Sequence, residues 1–534
     1  MAEIPAASVI NDRYPMVRLF RHGEDVVLYD GKAHFAVILS DDELEVLEAF
    51  LAGRQEEEIV ASFSSRLGRN PIAELCGKLE RLRERGVFTG GPAETVSPAG
   101  KEEIRNLLEY YDRNILLRKF CLEVTEDCNF RCTYCKRTIA DDFRPHSGNR
   151  MSEENAFMAI RYYFQKYTSF FSRLSDEKKE LLLKIVPPGL SWYGGEPFLN
   201  FSLIQKTADF FKALPWEDFS IGRESFHFTV NTNLSIMSDE ILAFLVDNDV
   251  ILFASLDGPE EEHDRCRVFP DGSGTFRLAC SNLLKIREFN GAYFRRRVSL
   301  FGVLTEDHDH ERCQTFNRGI GAFQSRHFPA QYTGVFVPDP EETVRRGLAE
   351  FDENLGRFAE VAEAQAGRDE IDMECFAGLL QFAGLVFDNP SGSNFLKLSL
   401  TCPMGFDNLM AAANGDYLLC HKVSGNLPIG HCLKGLDFEK LVEVNRKYAG
   451  TVNSGECRSC WAVRFCRICA AARMSGEGFI NPTPQECDVL RLDIAFRFAC
   501  FLHLARNHPD ILARIFQYKR DPEHCVGVID INDF

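Results

Sequence analysis

No apolar run in the 534-residue chain approaches the ~20 residues that a membrane-spanning helix needs. The opening residues, MAEIPAASVINDRYPM, lack the basic-then-apolar order of a secretory signal. Basic residues are not in excess either. Sixty-one Lys and Arg stand against 79 Asp and Glu, and the net charge of −18 argues against nonspecific nucleic-acid binding. There is no solenoid-type repeat and no low-complexity tract. These absences leave a cytoplasmic protein with neither a membrane nor a nucleic-acid partner as the expectation. The apolar fraction of 45% is that of ordinary globular domains.

Cysteine, by contrast, is plentiful, with nineteen residues. In a reducing compartment clustered cysteines bind metals or do redox chemistry more often than they form structural disulfides. Cys76, Cys121, Cys280 and Cys500 sit singly among apolar neighbours and read as small core residues. Two stretches are dense: LEVTEDCNFRCTYCKRT, with Cys128, Cys132 and Cys135, and CRSCWAVRFCRIC, from Cys457 to Cys469.

Periodicity divides the chain. In residues 1–92 three β-prone runs, MVRLF, DVVLYD and HFAVIL, precede three helical patterns, the first capped by Ser40 with Glu43 three residues on. This order predicts a small winged-helix-like domain, followed by a linker over 93–115. Over 116–338 strands and helices alternate, which predicts parallel βαβ units. The candidate strands are KFCLEVT, GLSWYG, SFHFTVN, VILFASLD, RVSLFGVL and QYTGVFV. Six such units make an incomplete (β/α)6 barrel of the TIM type, with polar motifs at the strand ends where barrel active sites lie. A helical bridging region over 339–399, a cysteine-rich region over 400–490 and a helical tail over 491–534 follow.

Cys128-x3-Cys132-x2-Cys135 offers three ligands, whereas a structural zinc site wants four. A [4Fe–4S] cluster on three thiolates keeps one iron free for another molecule. The spacing, with Tyr134 before the last cysteine, resembles that of the radical S-adenosylmethionine (radical SAM) superfamily. Further motifs occur in order: WYGGEP, VNTNLS, SLDGPEEEHDRCR, DGSGTF and GVLT. The resemblance implies that Cys128, Cys132 and Cys135 carry the catalytic cluster. It implies that Gly194, Gly195 and Glu196 line the methionine-amine site, and that Asn231 and Asn233 are polar contacts. Leu234 stands where the family has glycine. By the same resemblance Ser255 and Asp257 contact the ribose, Arg267 partners the carboxylate and Leu304 neighbours the adenine.

In the second region Cys402, Cys420, Cys457, Cys460, Cys466, Cys469 and Cys487 follow in a succession that resembles the SPASM domain of radical SAM peptide maturases. That resemblance implies two auxiliary [4Fe–4S] clusters, hence three in all. Cys402, Cys420 and Cys469 would hold the nearer one, with an open iron or with Cys432 or His421 as a fourth ligand. Cys457, Cys460, Cys466 and Cys487 would hold the outer one. The family has three residues between the counterparts of Cys466 and Cys469, and this chain has two. A zinc ribbon is the alternative, since Cys-x2-Cys pairs are a common zinc spacing.

The N-terminal module resembles the PqqD-like element that binds leader peptides beside a sheet edge, with AHFAVIL as edge and AELCGKLERL as groove wall. Together these parts imply a radical SAM maturase of a ribosomally made precursor peptide, forming a thioether or carbon–carbon crosslink. An external electron donor such as flavodoxin or ferredoxin is implied. A sulfatase-type maturase forming formylglycine, and a noncatalytic peptide-binding or electron-transfer scaffold, are the competing readings.

Overall fold

The computed structural model describes residues 7–9, 13–22, 25–33, 35–91, 100–139, 145–305, 307–329, 340–368, 370–376, 379, 405–423, 427–452, 455–466, 469–476 and 478–520. Cys402 lies outside these residues, as does the QYTGVFV segment.

The chain begins with an antiparallel meander of β1 (Ala7–Val9), β2 (Val17–His22), β3 (Asp25–Asp30) and β4 (Phe35–Leu39). The three predicted runs are β2 to β4; β1 is too short to show an alternating pattern. Period-two alternation gives the sheet two apolar faces. Val17, Leu19, Val26 and Leu28 pack on helices Asp41–Leu51, Glu56–Leu67 and Arg69–Glu84. Phe20, Val27 and Tyr29 face the other way, into a core shared with the C-terminal helix Pro484–Asn507. The first helix starts where the sequence predicts: Glu43 N–H donates to Ser40 Oγ, and Ser40 N–H donates back to the Glu43 carboxylate at 2.9 Å.

The predicted linker contains a helix, Lys101–Asn114. Its N-cap is Gly100, whose N–H donates to Glu103 at 2.9 Å. A glycine cap offers no side-chain signal in the sequence, and only Ile104 and Leu108 of this helix are fully buried.

Six parallel strands then lie side by side in chain order: β5 (Lys119–Thr125), β6 (Gly189–Gly194), β7 (His227–Thr232), β8 (Ile251–Ser255), β9 (Val298–Leu304) and β10 (Gln324–Pro329). Helices such as Glu153–Phe171, Phe201–Lys212, Asp239–Asp247 and Phe276–Phe289 connect them. This is the expected α/β partial barrel. The sixth parallel strand among the described residues is QSRHFP: it starts five residues after the helix His310–Gly319 ends, a short connection usual between helix and parallel strand. Outward-facing residues, among them Trp192, Phe228, Val230 and Leu252, are buried under the helices. Ser191, Tyr193, Thr229, Asn231, Phe253 and Phe301 alternate with them and face a half-buried lumen.

The sheet continues past the barrel. β11 (Asn408–Ala411) pairs in parallel with β5, and β12 (Asp416–Leu418), β13 (Gly430–His431) and β14 (Gly435–Leu436) add antiparallel rungs. An ion pair between the half-buried Arg118 and the buried Asp407, with Nη2 to Oδ2 at 3.0 Å, and Lys119 N–H on the Asp407 carbonyl at 3.1 Å pin this junction. Helices Pro340–Ala349 and Phe351–Gln365 occupy the predicted bridging region. Phe438–Val452 is a helix inside the cysteine-rich region, and Pro509–Arg520 closes the tail.

Candidate functional site

The loop after β5 carries Cys128, Cys132 and Cys135 to the C-terminal end of the barrel. Its backbone is tied on two sides. Arg131 N–H donates to the Val268 carbonyl at 2.8 Å and Thr133 N–H to the Cys266 carbonyl at 2.9 Å. Opposite, Gly194 and Gly195 admit it closely. A Cβ on Gly194, whose φ is +147°, would meet Thr125 O at 2.2 Å; one on Gly195 would meet Asp127 O at 2.0 Å and Cys128 Cβ at 2.9 Å. What these glycines let approach is therefore the cysteine loop itself.

Around the thiols lies a cavity of about 290 Å³. Cys128, Cys132, Tyr134 and Cys135 line it from the loop; Gly194, Gly195, Asn231, Asn233, Ser255 and Arg267 line it from the ends of β6, β7 and β8 and the segment beyond. Asn233 is held by its neighbours: Nδ2 donates to Asn129 Oδ1 at 3.0 Å and to Cys128 Sγ at 3.7 Å, and Oδ1 accepts from Ser235 N–H at 2.8 Å.

Three residues expected at the ligand do not line this cavity. Glu196 is fully buried and does not line the cavity; Oε1 accepts from Thr232 Oγ1 at 2.9 Å and Phe198 N–H at 3.1 Å, and Oε2 accepts from Asn233 N–H at 2.7 Å. It staples the ends of β6 and β7. Burial pushes its carboxyl up to about 7. Asp257 is likewise fully buried, and both its oxygens are engaged: Oδ2 accepts from Tyr134 OH at 2.8 Å and Arg267 Nε at 3.0 Å, and Oδ1 accepts from Val303 N–H at 2.8 Å. It positions a ring and a cation that do reach the cavity. Leu304 is buried on the outer face of β9, and by alternation its neighbour Val303 faces inward.

Several lining residues carry no motif signal. Lys136, Arg137 and Lys422 add basic character, His146 an imidazole, and Phe301 supplies an apolar wall. Arg137 also pairs with the buried Glu123 on β5. Burial lowers His146 to about 4. A second cavity of about 530 Å³ continues down the lumen, sharing Tyr193, Asn231, Phe301 and His421 with the first. Phe253 and Phe301 stack at 4.7 Å on its wall, and Cys121 and Cys420 reach it near Arg118 and Lys119. His421 meets Tyr193 edge-on at 5.2 Å.

The cysteines fall into separate electrostatic neighbourhoods. Cys128, Cys132 and Cys135 interact with one another, as do Cys457, Cys460, Cys466 and Cys487, while Cys420 interacts with Cys469. Cys432 stands elsewhere, its thiol donating to Asn155 Oδ1 at 3.3 Å. Among the described residues no three His, Cys, Asp or Glu side chains converge closely enough for a single metal ion. The donor set still has a definite character. Burial pushes the Cys128, Cys132 and Cys487 thiols up to about 12, so a soft metal centre that took them as thiolates would discharge their protons. Phe130 N–H donates to Cys128 Sγ at 3.4 Å, a bond of the kind that supports cluster thiolates.

Residues 122–317 match the family model of the Radical SAM superfamily. The radical SAM cyclopropyl synthase TigE of Paramaledivibacter caminithermalis is 25% identical over 205 residues, 36% of this chain and 39% of its own. The chain thus spans about two fifths of the length of that curated relative. Among solved structures, native anSMEcpe with bound AdoMet superimposes with a TM-score of 0.50 at 17% identity, covering 73% of this chain and 99% of that one. Streptococcus suis SuiB bound to precursor peptide SuiA gives 0.41 at 12% identity, covering 88% and 98%. No helix among the described residues is long and apolar enough to cross a membrane.

Proposed function

Starting from a radical SAM domain over residues 122–317, we propose that the chain is a peptide-modifying enzyme that forms a crosslink, thioether or carbon–carbon, in a ribosomally made precursor. The observation that carries this reading is the gathering of the three loop thiols with Gly194, Gly195, Asn231, Asn233, Ser255 and Arg267 around one cavity at the strand ends. A [4Fe–4S] cluster on Cys128, Cys132 and Cys135 would, with S-adenosylmethionine, supply a 5′-deoxyadenosyl radical able to remove hydrogen from carbon.

The chain's own residues prepare that chemistry. Tyr134 and Arg267, both tied to Asp257, present a ring and a guanidinium to the cavity, where the cation suits a carboxylate. Gly195 and Asn233 hold the cysteine loop against the sheet. The lower lumen, walled by Phe253, Phe301 and Tyr193, offers an apolar surface to the reacting side chain. Cys420 and Cys469, with Cys402, and the group Cys457, Cys460, Cys466 and Cys487 would hold auxiliary clusters that accept the electron left after the bond forms. In the N-terminal sheet β4 pairs only with β3 among the described residues and exposes Ile38, which favours capture of an extended leader at that edge.

Anaerobic reconstitution with S-adenosylmethionine and dithionite should yield 5′-deoxyadenosine, and replacing Cys128, Cys132 and Cys135 by alanine should abolish it. With a precursor peptide, mass spectrometry should show loss of two hydrogens and a crosslink. An aldehyde product would point to the sulfatase-type reaction. Fully cluster-loaded protein that yields no 5′-deoxyadenosine would point to a scaffold.

A further inference from the structure

The face of the N-terminal sheet turned away from its own helices ends against the outer cysteine loop. Phe20 stacks on Phe498 at 4.5 Å and meets Trp461 edge-on at 5.3 Å, and Tyr29 packs on Phe465 at 5.0 Å. Just past β3 the fit is backbone on backbone: a Cβ on Gly31 would lie 2.2 Å from the Trp461 carbonyl oxygen. Arg464 Nη2 donates to the Lys32 carbonyl at 2.9 Å from the same loop.

On this face Met16 packs with Val463 and Cys460. Arg18 is clamped by the backbone at the start of β2, Nη1 donating to the Pro15 and Val17 carbonyls at 2.7 and 2.9 Å, and it interacts electrostatically with Cys460. Arg491, on helix Pro484–Asn507, donates through Nη2 to Cys460 Sγ at 3.6 Å and through Nη1 to Asp488 at 2.7 Å. Arg491 therefore contacts one thiol of the four-cysteine group, and Arg18, two residues beyond the Met16 that packs on that thiol, brings a second guanidinium from the opposite end of the chain into its neighbourhood.

We propose that the N-terminal sheet forms one wall of the outer cysteine site, where Arg18 and Arg491 position and offset the charge of a centre held by Cys457, Cys460, Cys466 and Cys487. This rests on the auxiliary-cluster reading above. Four thiolates make such a centre anionic, and one-electron reduction adds a further negative charge. A guanidinium alongside favours the reduced form, so removing it lowers the reduction potential. Linkage makes the effect mutual: displacing the sheet changes the centre's potential, and the centre's charge state changes how firmly the sheet is seated.

The test uses the full chain, anaerobically reconstituted, as wild type, Arg18→Gln, Arg18→Lys and Gly31→Ala. Iron and sulfide are quantified and the centres titrated redox-wise by electron paramagnetic resonance. With iron retained, Arg18→Gln should lower the outer centre's reduced-to-oxidised ratio at fixed applied potential about tenfold, a 59 mV shift for one electron. Arg18→Lys should keep most of the wild-type value. Gly31→Ala, which pushes the sheet off Trp461, should shift the same centre in the same direction. Loss of outer-site iron alone in Arg18→Gln also supports the wall. If Arg18→Gln fails to fold, Gly31→Ala decides. Full iron with an unmoved potential in both variants overturns the inference and leaves the cluster reading standing. Wild-type protein with iron for one cluster only overturns that reading and the inference together.

Discussion

Replacing Leu234 by glycine and by alanine separates two opposing costs just beyond β7. Leu234 has φ +62°, a left-handed conformation that costs a residue with a Cβ about 1–2 kcal/mol. Its N–H donates to Thr232 Oγ1 at 3.0 Å and its carbonyl accepts from Asn282 Nδ2 at 2.8 Å, which fixes the turn. The side chain is fully buried in the main core, where truncation to alanine costs about 2–5 kcal/mol. Burial outweighs strain, which explains a leucine where the family resemblance expects glycine. Alanine loses the burial and keeps the strain. Glycine loses the burial, sheds the strain and incurs about 0.5–1 kcal/mol of extra backbone entropy. The expected order of stability is leucine, then glycine, then alanine, with glycine ahead of alanine by about 0.5–1 kcal/mol. Thermal unfolding of reduced, cluster-free protein, followed by circular dichroism, reads this order at roughly 2–4 °C per kcal/mol for a domain of this size. An alanine variant melting at or above the glycine variant would refute the argument.

Replacements at three other positions, Glu196, Asp257 and Gly195, probe the site. Glu196, held near 7 against an ordinary 4.5, stays protonated in the folded chain while the unfolded chain ionises. Its contribution is complete below about 4.5 and is lost as pH rises through 7, about 3 kcal/mol in all. Urea unfolding of Glu196→Gln should lack that part of the pH dependence; an identical slope in both proteins would contradict it. Asp257→Asn leaves the Arg267 guanidinium buried without its counter-charge and should cost about 3–5 kcal/mol, part of which a second replacement, Arg267→Gln, restores. A double-mutant cycle with no coupling energy would count against this. Gly195→Ala forces the cysteine loop, at Asp127 and Cys128, away from the end of β6 and should cut iron uptake on reconstitution, whereas Gly148→Ala, with open space at its Cβ, should leave it unchanged. Equal iron in the two variants would dismiss the close approach as a constraint.

Much of the barrel was legible because apolar runs bounded by turns mark buried parallel strands, and motif order placed the cysteine loop and the glycine pair on their ends. Three kinds of information were not. Period-two alternation does not say which face of β9 looks inward, and it is Val303, not its neighbour Leu304, that lines the cavity. A carboxylate in a motif does not show whether neighbouring N–H groups already occupy its lone pairs; in Glu196 and Asp257 they do. The second apolar face of the N-terminal sheet was visible as Phe20, Val27 and Tyr29, but its partners, Trp461 and Phe498, lie more than 400 residues away in the chain.

The extension of the barrel sheet past β5 sets a length scale. β5 and β12 run in opposite directions in one hydrogen-bonded ladder, so Cys128 leaves it at one end of the lumen and Cys420 at the other, the chain after Cys420 turning back so that His421 and Lys422 line the cavity around Cys128. A seven-residue strand spans roughly 20 Å. The interval between the two ends of the lumen is therefore dictated by strand length. Adding a pair of residues to β5 would lengthen that interval while preserving the inward or outward aim of every side chain.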